Sequence, residues 1–218
     1  MGKVSVVVVT YRRLLNLERI LQAWLAQTSD VWLCDCGLDF KTNLPVKIAR
    51  FHPDPGSKTR HAVALLTDGD YVIKADDDAL PKDGLIEDFL KAWDITGKAI
   101  LGLHGRKFHG GSYYRNTSAL AASRLNNLQR VDFVGRVTFT SREFLSFDLM
   151  GCLSPTEDLF WQMKAFPEIP KWVIPTKRYI NLPEGNDKGA LFLNKEARKI
   201  REEFYREYYL KNYSKEQK

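Results

Sequence analysis

Three consecutive carboxylates, Asp76-Asp77-Asp78, end a short apolar run from Tyr71 to Ala75 and lead into Ala79-Leu80-Pro81. The run reads as a strand and the proline as part of the turn that follows it. Three acids at one strand end repel one another unless a cation sits among them. A hard divalent ion, Mg²⁺ or Mn²⁺, suits such a cluster when substrate phosphates complete its shell. A solvated acidic turn is the plainer alternative. An EF-hand is excluded, because Leu80 stands where a third ligand belongs and the required glycine and glutamate are missing. A second acidic pair, Glu157-Asp158, opens a helix predicted over Leu159 to Ala165, with Thr156 as its N-cap and the acids favoured by the helix dipole. His104 and His109 lie five apart, which is poor zinc spacing.

These side chains need a frame. Val4 to Val9 is a β-branched run of the kind buried on both faces of a parallel sheet. Leu14, Leu17, Ile20, Leu21, Trp24 and Leu25 recur at helical spacing. Val31 to Cys34 and Val46 to Phe51 read as further strands. After the turn His52-Pro53-Asp54-Pro55-Gly56, Ser57 is the expected cap of a helix to Leu66. Asp83 is the expected cap of a helix from Gly84 to Trp93, and Ala99 to Leu103 is a fifth strand. Alternating strands and helices predict an α/β fold with a mostly parallel sheet covered on both faces. Ligands of such sheets bind beyond the carboxyl ends of the strands, where Thr10, Asp35 and Asp76 to Asp78 fall. From His104 to Arg115 a basic, aromatic, glycine-punctuated segment reads as a hairpin or mobile loop. Val131 to Phe139 is more strand, with a short helix from Ser141. The tail from Asn194 to Asn212 is amphipathic, with Ala197, Ile200, Phe204 and Tyr208 on one face.

The 218 residues suffice for one α/β domain, and no linker divides them. No apolar run reaches the roughly 20 residues of a membrane span, and no signal-peptide cleavage site is visible. Three cysteines, with Cys34 and Cys36 one residue apart, form neither a disulfide framework nor a redox or zinc pair, so a cytoplasmic protein is expected. The net charge of +6 suits an anionic partner: a nucleotide, nucleic acid, or an anionic membrane surface touched peripherally.

Taken together, Val4 to Arg13, Asp35, Lys58-Thr59-Arg60, Gly69-Asp70-Tyr71, Asp76-Asp77-Asp78 and Glu157-Asp158 occur in an order and spacing that resembles the GT-A glycosyltransferases, and their family-2-like inverting members most. The resemblance covers roughly residues 4 to 165. It implies a GT-A fold over 1–218, with a nucleotide-binding half at 1–103, an acceptor and catalytic half at 104–193 and a C-terminal helix at 194–218. It further implies that Thr10, Tyr11 and Arg13 line the nucleotide pocket and that Asp35 hydrogen-bonds the donor's base. Lys58 and Arg60 would lie near the nucleotide. Asp76 and Asp77 would face the donor, Asp78 with Asp76 would hold Mn²⁺ or Mg²⁺, and Asp158, flanked by Glu157, would be the catalytic base. The implied activity is transfer of one sugar from a UDP- or GDP-sugar to an acceptor hydroxyl, with inversion. The acceptor, whether glycan, lipid-linked glycan, protein or modified nucleic acid, is left open. A retaining transferase shares the metal site without needing Asp158. A sugar nucleotidyltransferase is disfavoured, because Thr10-Tyr11-Arg12-Arg13 holds no glycine. One departure stands out. The late histidine that completes the metal shell in many relatives is absent after His109, leaving Asn181, Glu184, Asp187 or water to substitute.

Overall fold

β-branched residues, interrupted only by Ser5, form the first strand, β1 (Val4–Thr10), which is buried along almost its whole length between two parallel neighbours. Those neighbours are β2 (Val31–Asp35) and β4 (Tyr71–Asp76), and β3 (Lys47–Arg50) extends the parallel half beyond β2. The computed structural model describes residues 2–10, 13–53, 55–115, 117–148, 152, 155–183 and 194–210. Helix α1 (Leu17–Leu25) buries Leu17, Ile20, Leu21 and Trp24, the i, i+3, i+4, i+7 stripe seen in the sequence. Each such fully buried side chain contributes roughly 1.5–3 kcal/mol.

Helix α2 (Thr59–Leu66) begins one residue later than the Ser57 cap implies. Lys58 is its N-cap residue, and no side chain caps it. Helix α3 (Leu85–Thr96) is likewise capped not by Asp83 but by Gly84, whose φ of 80° only glycine adopts readily. It outruns the expected Trp93 end and stops at Gly97. Between β4 and α3 lies a strand too short to read in sequence, β5 (Ala79–Pro81).

The second half adds β6 (Ile100–Phe108), β7 (Thr117–Ala121), β8 (Gln129–Val131), β9 (Phe133–Ser141), β10 (Lys171–Val173) and β11 (Tyr179–Asn181). Among the described residues the main sheet runs β3-β2-β1-β4-β9-β6-β10-β8, and β7 pairs with β6. It is parallel through β4 and again between β6 and β10, and β9 runs antiparallel between the two parts. The basic, aromatic segment is therefore the β6–β7 hairpin. Separately, β11 pairs antiparallel with β5, so Asn181 lies opposite Ala79, next to the acidic strand end.

Glu157-Asp158 open α4 (Glu157–Leu159), which widens into a π-helical turn at Phe160–Ala165. Thr156 is its N-cap residue, but its side chain makes no cap bond. The tail forms α5 (Lys195–Tyr205), capped by the Asn194 side chain accepting from Ala197 N, and a π-helical continuation at Arg206–Leu210. The inward row differs from the expected one. Ala197 and Tyr205 are buried, with Arg201 between them, while Phe204 and Tyr208 are only half-buried. Tyr205 packs on Phe108 and Tyr113 of the hairpin. Tyr205→Ala is therefore expected to destabilise the protein by roughly 3–5 kcal/mol in urea unfolding, and Phe204→Ala by clearly less. Equal losses would mean that the helix face is misassigned.

Candidate active site

The acids at the end of β4 are met by the protein's own cations. Arg60, from the first turn of α2, donates to Asp76 Oδ1 at 2.7 Å and to Glu157 Oε1 at 2.5 Å, tying three elements together. Asp77 turns inward, accepting from Thr10 Oγ1 and from Arg13, each at 3.0 Å. Arg13 also donates to Asp78 Oδ2 at 3.0 Å, and Arg136 stands 3.9 Å from the same oxygen. Guanidinium groups thus supply much of the neutralisation that the sequence assigned to a metal alone.

One carboxylate oxygen is left over. Asp78 is 5% exposed, and its Oδ1 has no partner among the described residues; Glu157 Oε2 and Arg60 Nε are orphaned in the same way. Buried polar atoms without partners are costly, and they mark places where a ligand or ion completes the bonding. Asp78 Oδ1 therefore fits a divalent ion. No group of three or more His, Cys, Asp or Glu able to hold a metal occurs among the described residues, so such an ion would draw most of its oxygens from phosphate and water. Asn181 Oδ1 accepts from Arg136 at 2.5 Å, whereas Glu184 and Asp187 lie outside the described residues.

Arg136 reaches the site through an unusual backbone. It lies at φ 66°, a left-handed conformation that non-glycine residues seldom adopt, beside a shift in the β6–β9 register. Nothing in the sequence marks it, because Gly135-Arg136 reads as ordinary strand.

Asp158 is held from the other side. Arg201 of α5 forms a fork to it, at 2.8 Å to Oδ1 and 3.1 Å to Oδ2, and also donates to Tyr113 Oη and Pro155 O. Leu159 N donates to Oδ1 at 2.9 Å. Burial pushes the Asp158 carboxyl up, but Arg201, with Arg60 behind it, outweighs burial and holds it below the usual carboxylate range. For Asp76 the balance is reversed. Burial, reinforced by Asp78, raises its carboxyl despite Arg60 and Arg136. Arg201 was not legible as a site residue, since a cation in a charged tail reads as solvated. The signal lay in its position, four residues from both Ala197 and Tyr205.

Asp76, Arg60 and Asp158 line one pocket of about 330 Å³ including its open mouth, with Arg136 also on its wall. His61, Lys74 and Trp161 form its buried end. Lys74 Nζ lies 3.2 Å from His61 Nδ1 and 3.0 Å from the centre of the Trp161 ring. Burial, with Arg60 nearby, pushes Lys74 well below the lysine range, and Asp158 and Glu157 oppose this. Burial and Lys74 likewise keep His61 well below its ordinary value.

Other expected site residues are placed differently. Asp35 is fully buried, and its oxygens accept from Leu38 N at 2.9 Å and Phe40 N at 2.8 Å. It fixes the loop after β2. Thr10 is also fully buried, its hydroxyl committed to Asp77. Lys58, half-buried at the start of α2, forms no ion pair with an acid among the described residues. Tyr11 lies outside the described residues. His104 contacts Tyr179 Oη at 3.3 Å and His109 contacts Ser118 Oγ at 2.7 Å, which places them on the hairpin and apart from any joint metal site.

No protein-family model matches the sequence, and no curated protein matches it. Among solved structures the fold is similar to residues 1–349 of TarS from S. aureus, a GT-A, family-2-like glycosyltransferase. With TarS in complex with UDP-GlcNAc the TM-score is 0.58 at 16% identity, over 81% of this chain and 57% of that one. With TarS alone the TM-score is 0.52 at 18% identity, over 81% of this chain and 59% of that one. The chain thus spans less than two thirds of the structures it resembles, and at this identity the likeness is one of fold. The fold is GT-A.

Proposed function

We propose that this chain is a metal-dependent glycosyltransferase that moves one sugar from a UDP- or GDP-sugar to an acceptor hydroxyl, with inversion. The observation that carries the proposal is the placement of Asp158. It is a half-buried carboxylate, held ionised by Arg201, that shares a pocket with the acidic end of β4 on a fold whose solved neighbour binds UDP-GlcNAc. The nucleotide would lie over the carboxyl ends of β1, β2 and β4.

In this reading Asp158 is the general base. Its Oδ1 already accepts from Leu159 N and Arg201, whereas Oδ2 accepts from Arg201 alone. Oδ2 therefore keeps a lone pair for the acceptor's proton. As that proton moves to Asp158, the acceptor oxygen bonds the anomeric carbon and the bond to the nucleotide breaks, its electrons passing to the diphosphate. Arg60 holds Asp76 and Glu157 in place. Asp78 Oδ1, with Asp76, would hold Mn²⁺ or Mg²⁺, which as a Lewis acid neutralises the leaving diphosphate. A ligand that binds only the folded state raises the melting temperature by mass action. UDP or GDP with Mn²⁺ should therefore stabilise the protein more than either alone, and Asp78→Ala should remove that synergy. Equal stabilisation of Asp78→Ala by nucleotide, in EDTA and in Mn²⁺, would refute the metal assignment. The configuration of the product at its anomeric carbon separates inversion from retention.

A further inference from the structure

The buried end of the pocket is basic in a way that the transfer chemistry does not use. Lys74 is 2% exposed and His61 1%, and both line the pocket that holds Asp76 and Asp158. Of the three basic side chains in its wall besides His61, Arg60 is committed to Asp76 and Glu157, and Arg136 to Asn181. Lys74 has no carboxylate within ion-pair distance among the described residues. Its neighbours are the imidazole of His61 and the face of Trp161. When Lys74 donates to His61 Nδ1, the His61 proton sits on Nε2, and that atom is buried without a partner. The face of Trp161, 3.0 Å from Lys74 Nζ, meets the Lys74 head group, while the Trp161 Nε1–H donates to Phe144 O at 2.7 Å and offers His61 nothing. A buried His61 nitrogen is thus left without a partner at the end of an open pocket, beside a lysine whose only neighbours are an imidazole and an aromatic face. That arrangement is costly unless a ligand supplies the acceptors.

We propose that Lys74 and His61 recognise a carboxylate on the sugar being transferred, so that the donor is a nucleotide-linked hexuronate and not a neutral hexose. The inference rests on the glycosyltransferase reading and specifies its substrate. A planar carboxylate offers about four lone-pair sites, enough for the free donors of Lys74 and His61 at once. A hydroxyl or hydroxymethyl group offers two and no charge. The sugar belongs here because the pocket lies between Asp76, at the donor's acidic strand end, and Asp158, where the acceptor's proton goes. The same chemistry could enter on the acceptor, and the test separates the two sources.

The experiment is titration calorimetry in Mn²⁺ with UDP, UDP-glucose and UDP-glucuronate, each sugar's affinity taken relative to UDP in the same protein. UDP-glucuronate is expected to bind about tenfold or more tightly than UDP-glucose, as charge-assisted hydrogen bonds allow. In Lys74→Met, which keeps the length and removes the ammonium, that preference should vanish. Equal binding of the two sugars by the unaltered protein overturns the inference and leaves the transferase reading standing, and this arm needs no variant to fold. A preference that survives Lys74→Met overturns it as well, since the carboxylate is then read elsewhere. Transfer from UDP-glucose that favours a glucuronide over a glucoside acceptor, lost in Lys74→Met, moves the carboxylate to the acceptor and overturns the donor assignment. Absence of binding by both UDP and GDP removes the reading beneath both.

Discussion

Asp158→Asn is expected to lower transfer by about 10² to 10⁴, the usual contribution of a positioned general base, while leaving UDP affinity in Mn²⁺ close to that of the parent. The amide keeps the size of the side chain and can still accept from Leu159 N, but it has no basic lone pair for the acceptor's proton. Donor binding should survive because the acidic strand end is held by different partners, Arg13 and Arg60. Glu157→Gln is a contrasting control. Glu157 is 1% exposed and paired with Arg60, so its loss should weaken the fold and displace Arg60 without removing a base. Measured at saturating donor, Asp158→Asn should therefore lose turnover far beyond the stability it loses by stranding Arg201, whereas Glu157→Gln should lower the melting temperature with a smaller loss of turnover. Near-normal turnover by Asp158→Asn would move the assignment to a retaining mechanism.

The parallel half of the fold was legible because its signals are local. Val4 to Val9 can be little else than a buried strand, and the stripe from Leu17 to Trp24 fixes α1. The acidic strand end and the Glu157-Asp158 pair were found for a related reason, since runs of like charge are conspicuous where they fall at element ends. What was missed depends on long-range pairing. The insertion of β9 between β4 and β6 is set by contacts far apart in sequence, and β5 and β11 are each three residues long. The roles of buried polar residues were equally hidden. Asp35 and Thr10 fall at strand ends in the way ligand-binding residues do, yet both are spent inside the protein. Arg13 was expected to face a nucleotide, and its guanidinium bridges two aspartates. Lys74 breaks an apolar strand, and only the structure shows which side of the sheet it enters.

Arg201→Met is expected to cost stability and activity together, and the pH dependence tells the two roles of the arginine apart. Arg201 is 12% exposed and Asp158 20%, so the pair is largely desolvated. Removing one partner of such a pair leaves an uncompensated charge, at a cost of about 3–5 kcal/mol in buried cases. The folded-state pKa of Asp158 is depressed, so the pair's contribution is present above the unfolded carboxylate value and is lost as pH falls through the folded value. The stability gap between parent and Arg201→Met should accordingly be widest near neutral pH and should be lost as pH falls below about 4. Burial, no longer opposed by Arg201, should also raise the Asp158 carboxyl, so the acid limb of the turnover profile should move upward in the variant. A packing role for Arg201 alone predicts lower stability with an unshifted limb. Urea unfolding across pH measures the first effect and turnover across pH the second. In the double variant with Asp158→Asn, the stability loss should be smaller than the sum of the single losses, because neither change then strands a buried charge. Additive losses, or an acid limb that stays in place, would show that the fork from α5 does not set the state of the base.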